Sequence, residues 1–154
     1  MRSSDFMRAL PAAARAKLPR KLQAFKVNTR PWLVQFYYTS TLLHYEVVTL
    51  GERRGILEIG LHFESRDPEV NTRLLDGFMA HLFEIKAELG DQVEAERWDK
   101  GWTKVYETIP LETMNEDYLN RDLPASCPVS PGPLCAVASG PLCPAAPGGG
   151  VAFL

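Results

Sequence analysis

The sequence predicts an α+β domain in which one antiparallel sheet of about five strands packs against a single long helix. Three observations predict it. Stretches of period-two alternation lie on both sides of one segment with helical spacing. Glycine and proline punctuate the joins between them. Every charged side chain lies between Met1 and Asp122, and residues 123–154 carry none, so the domain ends where its charge ends. A body of about 120 residues is one domain, long enough to bury one core.

The elements follow in order. Ser4 or Asp5 can cap a first helix whose apolar side is Phe6, Met7 and Leu10. Pro11 and Pro19 then suggest two or three short helical turns over residues 1–30 rather than one rod. From Trp32 to Tyr38 aromatic and β-branched residues alternate as a strand. Leu42–Leu50 and Ile56–Glu64 are two more, joined by a loop with Gly51 and Gly55 at its ends. In the third strand Leu57, Ile59, Leu61 and Phe63 face the core, and Ile56, Glu58, Gly60, His62 and Glu64 face the other, mostly polar side. Asp67, Pro68 and Glu69 open the main helix, and Val70, Leu74, Phe78, Leu82, Ile85 and Leu89 form its stripe until Gly90 ends it. Val93–Trp98 and Trp102–Thr108 form a second hairpin around Asp99-Lys100-Gly101, with Trp98 opposite Trp102 and Glu96 opposite Lys104. Leu111, Met114 and Tyr118 mark a short last helix, expected to cover the two tryptophans.

Composition narrows the classes. No apolar run of 18 residues is present, so no membrane-spanning helix is expected, and the N-terminus lacks a secretory apolar core. Cysteine is confined to Cys127, Cys135 and Cys143, so disulfides cannot hold the body, and a reducing cytoplasm is the default location. Residues 1–30 hold eight bases against one acid, whereas residues 31–122 hold nine against eighteen. The basic segment reads as a helical region lying on an acidic body, and its competing readings are a nucleic-acid footprint and a transit peptide.

From about Trp32 to Arg121 the order of elements resembles an uncharacterised bacterial domain found at the carboxy-terminal end of restriction-endonuclease-like proteins. The resemblance rests on His44-Tyr45-Glu46, the Ile56–Phe63 strand, the run Leu82–Gly90, and Glu94–Trp98 leading into the last hairpin. It implies an accessory α+β domain and carries no catalytic residues with it. Members of that family finish with a full helix, whereas here the chain turns into uncharged octads beginning at Cys127, Cys135 and Cys143. Residues 123–154 therefore read as a frameshifted or foreign end, with a native disordered tail as the competitor.

Two sets of residues could carry function. If residue 50 pairs with residue 56, then His44 faces His62 and Glu46 faces Gly60. That register gathers His44, His62, Glu58 and Glu64, with Glu46 on the same surface, as a candidate divalent-metal site. A solvated polar sheet face is the plainer account of the same alternation. For partner recognition the candidates are Arg15, Lys17, Arg20 and Lys21, with Trp98 and Trp102 as a stacking platform for a protein or nucleic acid. The only Glu-x-Lys, Glu84-Ile85-Lys86, lies within a helix, where its ends point apart, which argues against a restriction-type nuclease. No phosphate loop, HExxH or nucleophile elbow is present, and no cofactor is expected. The sequence thus favours a non-catalytic interaction module, with a metal-dependent hydrolase or nuclease-like activity as the alternative.

Overall fold

The computed structural model of the chain describes residues 1–51, 53–111 and 114–121, so the expectation about 123–154 lies outside the described residues. Among the described residues six strands form one sheet: β1 (Lys26–Arg30), β2 (Leu33–Tyr37), β3 (Leu43–Thr49), β4 (Ile56–Phe63), β5 (Glu94–Arg97) and β6 (Thr103–Pro110). Their order is β1-β2-β3-β4-β6-β5, and every neighbouring pair is antiparallel. The sixth strand is β1, which lies inside the segment expected to be helical. Its exposed Lys26 and Arg30 are what a sheet edge commonly carries, so its charge disguised it.

Alternation sorts the sheet into two faces. Val34 and Phe36 of β2, Tyr45 and Val47 of β3, Leu57, Ile59, Leu61 and Phe63 of β4, and Val105 of β6 are all buried on one face. The helices supply the other half of that core. The first, α1 (Ser3–Lys17), contributes Phe6, Met7, Leu10 and Ala14. It is one continuous helix with Pro11 inside, not the two or three short turns expected. Proline in a helix interior costs about 3 kcal/mol, and the buried stripe on both sides of Pro11 offsets that. Nor do Ser4 or Asp5 cap it: Arg2 occupies that position, and Asp5 instead accepts from the Arg2 guanidinium at 2.8 Å.

The main helical segment consists of α2 (Pro68–Met79) and α3 (Leu82–Leu89), divided at Ala80–His81. Asp67 caps α2 by accepting from the Glu69 N–H at 2.9 Å. Its buried line runs through Asn71, Leu75 and Phe78, so the stripe is rotated from Val70 and Leu74. Asn71 explains the rotation. Its amide donates to the carbonyls of Ser65 and Gly101 at 2.9 and 3.0 Å and accepts from the Ser65 N–H at 2.9 Å. A polar residue thereby ties the helix to the β5–β6 hairpin. Lys100 and Gly101 both take positive φ in that hairpin's turn, and Gly101 backs directly onto Pro68. The last helix, α4 (Glu116–Arg121), packs on α1, with Tyr118 against Phe6 at 6.1 Å, and not over the tryptophans. Among the described residues no helix is long and apolar enough to cross a membrane.

On the opposite face one row of residues crosses the whole sheet: Asn28, Gln35, Glu46, Gly60, Tyr106 and Glu94 are successive cross-strand partners. Gly60 is required there. A Cβ at that position would lie 2.7 Å from the Tyr106 Cβ and 2.9 Å from the Val105 carbonyl oxygen. Gly60→Ala should therefore destabilise the domain by about 1–3 kcal/mol in urea unfolding, the usual cost of overpacking. An unchanged midpoint would show that β6 can recede from β4 at no cost.

Candidate metal centre

The register of β3 with β4 is the one the loop length predicted, with His44 opposite His62 and Glu46 opposite Gly60. The imidazole rings stand 5.4 Å apart, centre to centre. What alternation did not reveal is burial. Both histidines, Glu46, Glu58 and Lys104 are buried, so this face is not the solvated surface that half-exposed sheets usually present. Part of the cover comes from the β5–β6 hairpin: the Trp98 ring meets His62 edge-on at 5.7 Å, and Trp102 lies 5.5 Å from Trp98.

His44 is held in one orientation. Its Nδ1 lies 2.7 Å from the Thr41 carbonyl oxygen, so that nitrogen must donate. The side chain of Asn28 donates to Gln35 Oε1 at 3.0 Å, and Gln35 Nε2 donates in turn to Glu46 Oε2 at 2.9 Å. Gln35 Nε2 and Glu46 Oε2 stand 3.1 and 3.2 Å from His44 Nε2. One ring nitrogen tied to a carbonyl and the other directed at neighbouring side chains is the arrangement found around metal-binding histidines.

His62 is placed differently. Neither ring nitrogen, though buried, makes a hydrogen bond within the described residues. The nearest acceptors are Glu58 Oε1, 3.5 Å from Nε2, and Glu64 Oε1, 3.8 Å from Nδ1. These are ion-pair distances rather than hydrogen bonds. Glu58 uses its other oxygen on Lys104, whose ammonium approaches to 2.7 Å. The same ammonium lies 4.0 Å from the centre of the Tyr106 ring and 3.4 Å from Glu96.

The ionisation states follow from this packing. Burial opposes charge on Glu46, but His44, His62 and Gln35 outweigh it and hold its pKa below the ordinary carboxylate value. Glu58 is lowered likewise, by His62 and Lys104 against burial. For His62, burial alone would lower the pKa, but Glu58, Glu64 and Glu46 overcome it and push it up to about 9. The inner cluster thus holds three carboxylates and one ammonium around two imidazoles. Three carboxylates, the Lys104 ammonium and the protonated His62 ring sum to −3 + 1 + 1 = −1.

Ligand atoms of His44, Glu46 and His62 all lie within 4.8 Å of one another. The His44 Nε2 to Glu46 Oε2 distance is 3.2 Å, close to the edge of about 3.3 Å in a tetrahedron with bonds of about 2.05 Å. His62 needs to move by no more than about 1.5 Å, the difference between 4.8 Å and that edge, to complete a three-ligand set. Glu46, which sequence reasoning placed on this surface but outside the candidate ligand set, is the convergent carboxylate. Glu58 and Glu64 stand on either side of His62. Gln35 and Asn28 were missed, because the loop between β2 and β3 hides the register that brings Gln35 opposite Glu46.

The partner-binding candidates do not converge. Arg15 lies over the Phe25 ring at 4.5 Å and donates to the Phe25 carbonyl. Lys17, Arg20 and Lys21 are exposed nearby, whereas Trp98 and Trp102 belong to the cover of the histidine face. Comparison with family models, with curated proteins and with solved structures found no match for this chain.

The elevated His62 pKa has a consequence for stability. A folded-state pKa of about 9 against 6.5 means that the stabilisation is fully present below 6.5 and is lost as pH rises through 9. With chelator present, the unfolding free energy should fall by about 3 kcal/mol across that window. His62→Leu should remove the slope. A flat or rising profile would contradict the charged-imidazole account.

Proposed function

We propose that this chain is a non-catalytic metal-binding module that holds one divalent transition-metal ion through His44, Glu46 and His62. The observation that carries this reading is His62, 2% exposed with both ring nitrogens lacking a hydrogen bond in the described structure, gathered with ligand atoms of His44 and Glu46 within 4.8 Å of one another. Each ring nitrogen has only a carboxylate at ion-pair distance, and coordination would replace one of those loose contacts with a directed bond. Charge supports it further. A divalent ion that displaces the His62 proton brings the sum of these groups from −1 to neutrality. Two imidazoles and a carboxylate suit zinc, cobalt or nickel better than magnesium or calcium. The side chains of His44 and His62 are 0% and 2% exposed. A hydrolytic metal must offer an open position to its substrate, so this burial favours a structural or sensing ion over a hydrolase.

Metal titration followed by thermal unfolding tests it. Zinc or nickel at about a hundredfold over its dissociation constant should stabilise the wild type by about 2.7 kcal/mol, and His44→Ala or His62→Ala should abolish the shift. An equal shift in the variants would remove the site.

A second reading, recognition of a macromolecular partner, is favoured by two exposed apolar side chains, Phe83 at 91% and Met79 at 47%. The exposed bases Lys17, Arg20 and Lys21 and the resemblance of the body to a bacterial accessory domain belong with it. If those bases contact nucleic acid, reversing their charge should eliminate a salt-sensitive gel shift. A shift that persists would exclude them.

A further inference from the structure

Resting on the metal reading, we infer that Gln35 is the fourth ligand of that ion, presented by a coupled turn of the Gln35 and Asn28 side-chain amides. Gln35 Nε2 already stands beside two of the proposed ligands, 2.9 Å from Glu46 Oε2 and 3.1 Å from His44 Nε2. The end of the amide that faces the cluster is dictated by what stands there. An ionised carboxylate only accepts hydrogen bonds, so in the metal-free protein Glu46 selects the NH2 end of Gln35. The amide oxygen is then turned away and accepts from Asn28 at 3.0 Å.

A cation between Glu46 and His44 reverses the selection. It repels N–H donors and attracts oxygen, so the metal cannot enter while the NH2 group remains. Rotation of the Gln35 amide about its last torsion exchanges the two ends with little displacement of the side chain, because the amide nitrogen and oxygen are nearly the same size. The oxygen then points at the metal and the NH2 group at Asn28. Asn28 turns in the same way and accepts through its own amide oxygen. No hydrogen bond between the two residues is lost; only its direction changes. Gln35 comes from β2, Glu46 and His44 from β3 and His62 from β4, so the four ligands span three adjacent strands. The site closes to coordination number four without a water molecule, which fits its burial and the structural role of four-ligand zinc sites.

The test is zinc titration by calorimetry of the full-length chain and its variants, with circular dichroism confirming that each is folded. Gln35→Leu should weaken binding by about tenfold to a hundredfold. Asn28→Asp should tighten it by about fivefold, because the aspartate can only accept and so favours the turned Gln35, with a charged hydrogen bond replacing a neutral one. The gain should vanish in the Gln35→Leu background, whereas an added charge acting on the ion directly would persist there. Wild-type affinity in Gln35→Leu, or no gain in Asn28→Asp, overturns the assignment while His44→Ala still shows weakened binding. If His44→Ala binds as tightly as the wild type, the metal reading fails, and the Gln35 assignment with it.

Discussion

The β3–β4 register is the constraint on which the rest depends. Side chains alternate along a strand, so a slip of one residue would move Leu57, Ile59, Leu61 and Phe63 out of the core and turn Glu58 and His62 into it. The four apolar side chains are each nearly fully buried, and exposing any of them would forfeit about 1.5–3 kcal/mol of burial. The hydrophobic face therefore enforces the register, and the register places His44 against His62. The polar cluster does not organise itself. It is held in place by the core on the other side of the same two strands.

That division explains how a buried charged cluster is tolerated. Taking carboxylates out of water costs several kcal/mol each unless partners compensate. Glu46 has Gln35 and His44, and Glu58 has Lys104, while Tyr106 donates its hydroxyl to Glu94 at the edge of the same face. His62 is the member left with charge attraction alone. A proton on its ring supplies the missing positive charge, and under the proposed metal reading the ion takes over that role, so affinity should depend on pH as stability does.

Much of this was legible before any coordinates. The pairing of His44 with His62 followed from a five-residue loop with glycine at both ends, and the Trp98–Trp102 hairpin followed from Gly101. What remained hidden shares one cause, contacts between residues distant in sequence. Asn71 reads as a polar helix residue until its bonds to Ser65 and Gly101 are seen, and β1 reads as part of a basic helix until it meets β2. The continuity of α1 through Pro11 is tertiary as well, since propensity argued for a break and the packed stripe overrode it. Burial of the histidine face needed Trp98 folded back over His62, which no strand pattern encodes.

The most direct test of the account is X-ray absorption at the zinc edge of the protein loaded with one equivalent of zinc. The geometry predicts a first shell of nitrogen and oxygen at about 2.0–2.1 Å with the multiple scattering of two imidazoles. A shell containing sulfur at about 2.3 Å would place the ion on Cys127, Cys135 or Cys143 instead. A first shell of oxygen alone would likewise contradict a centre built on His44 and His62.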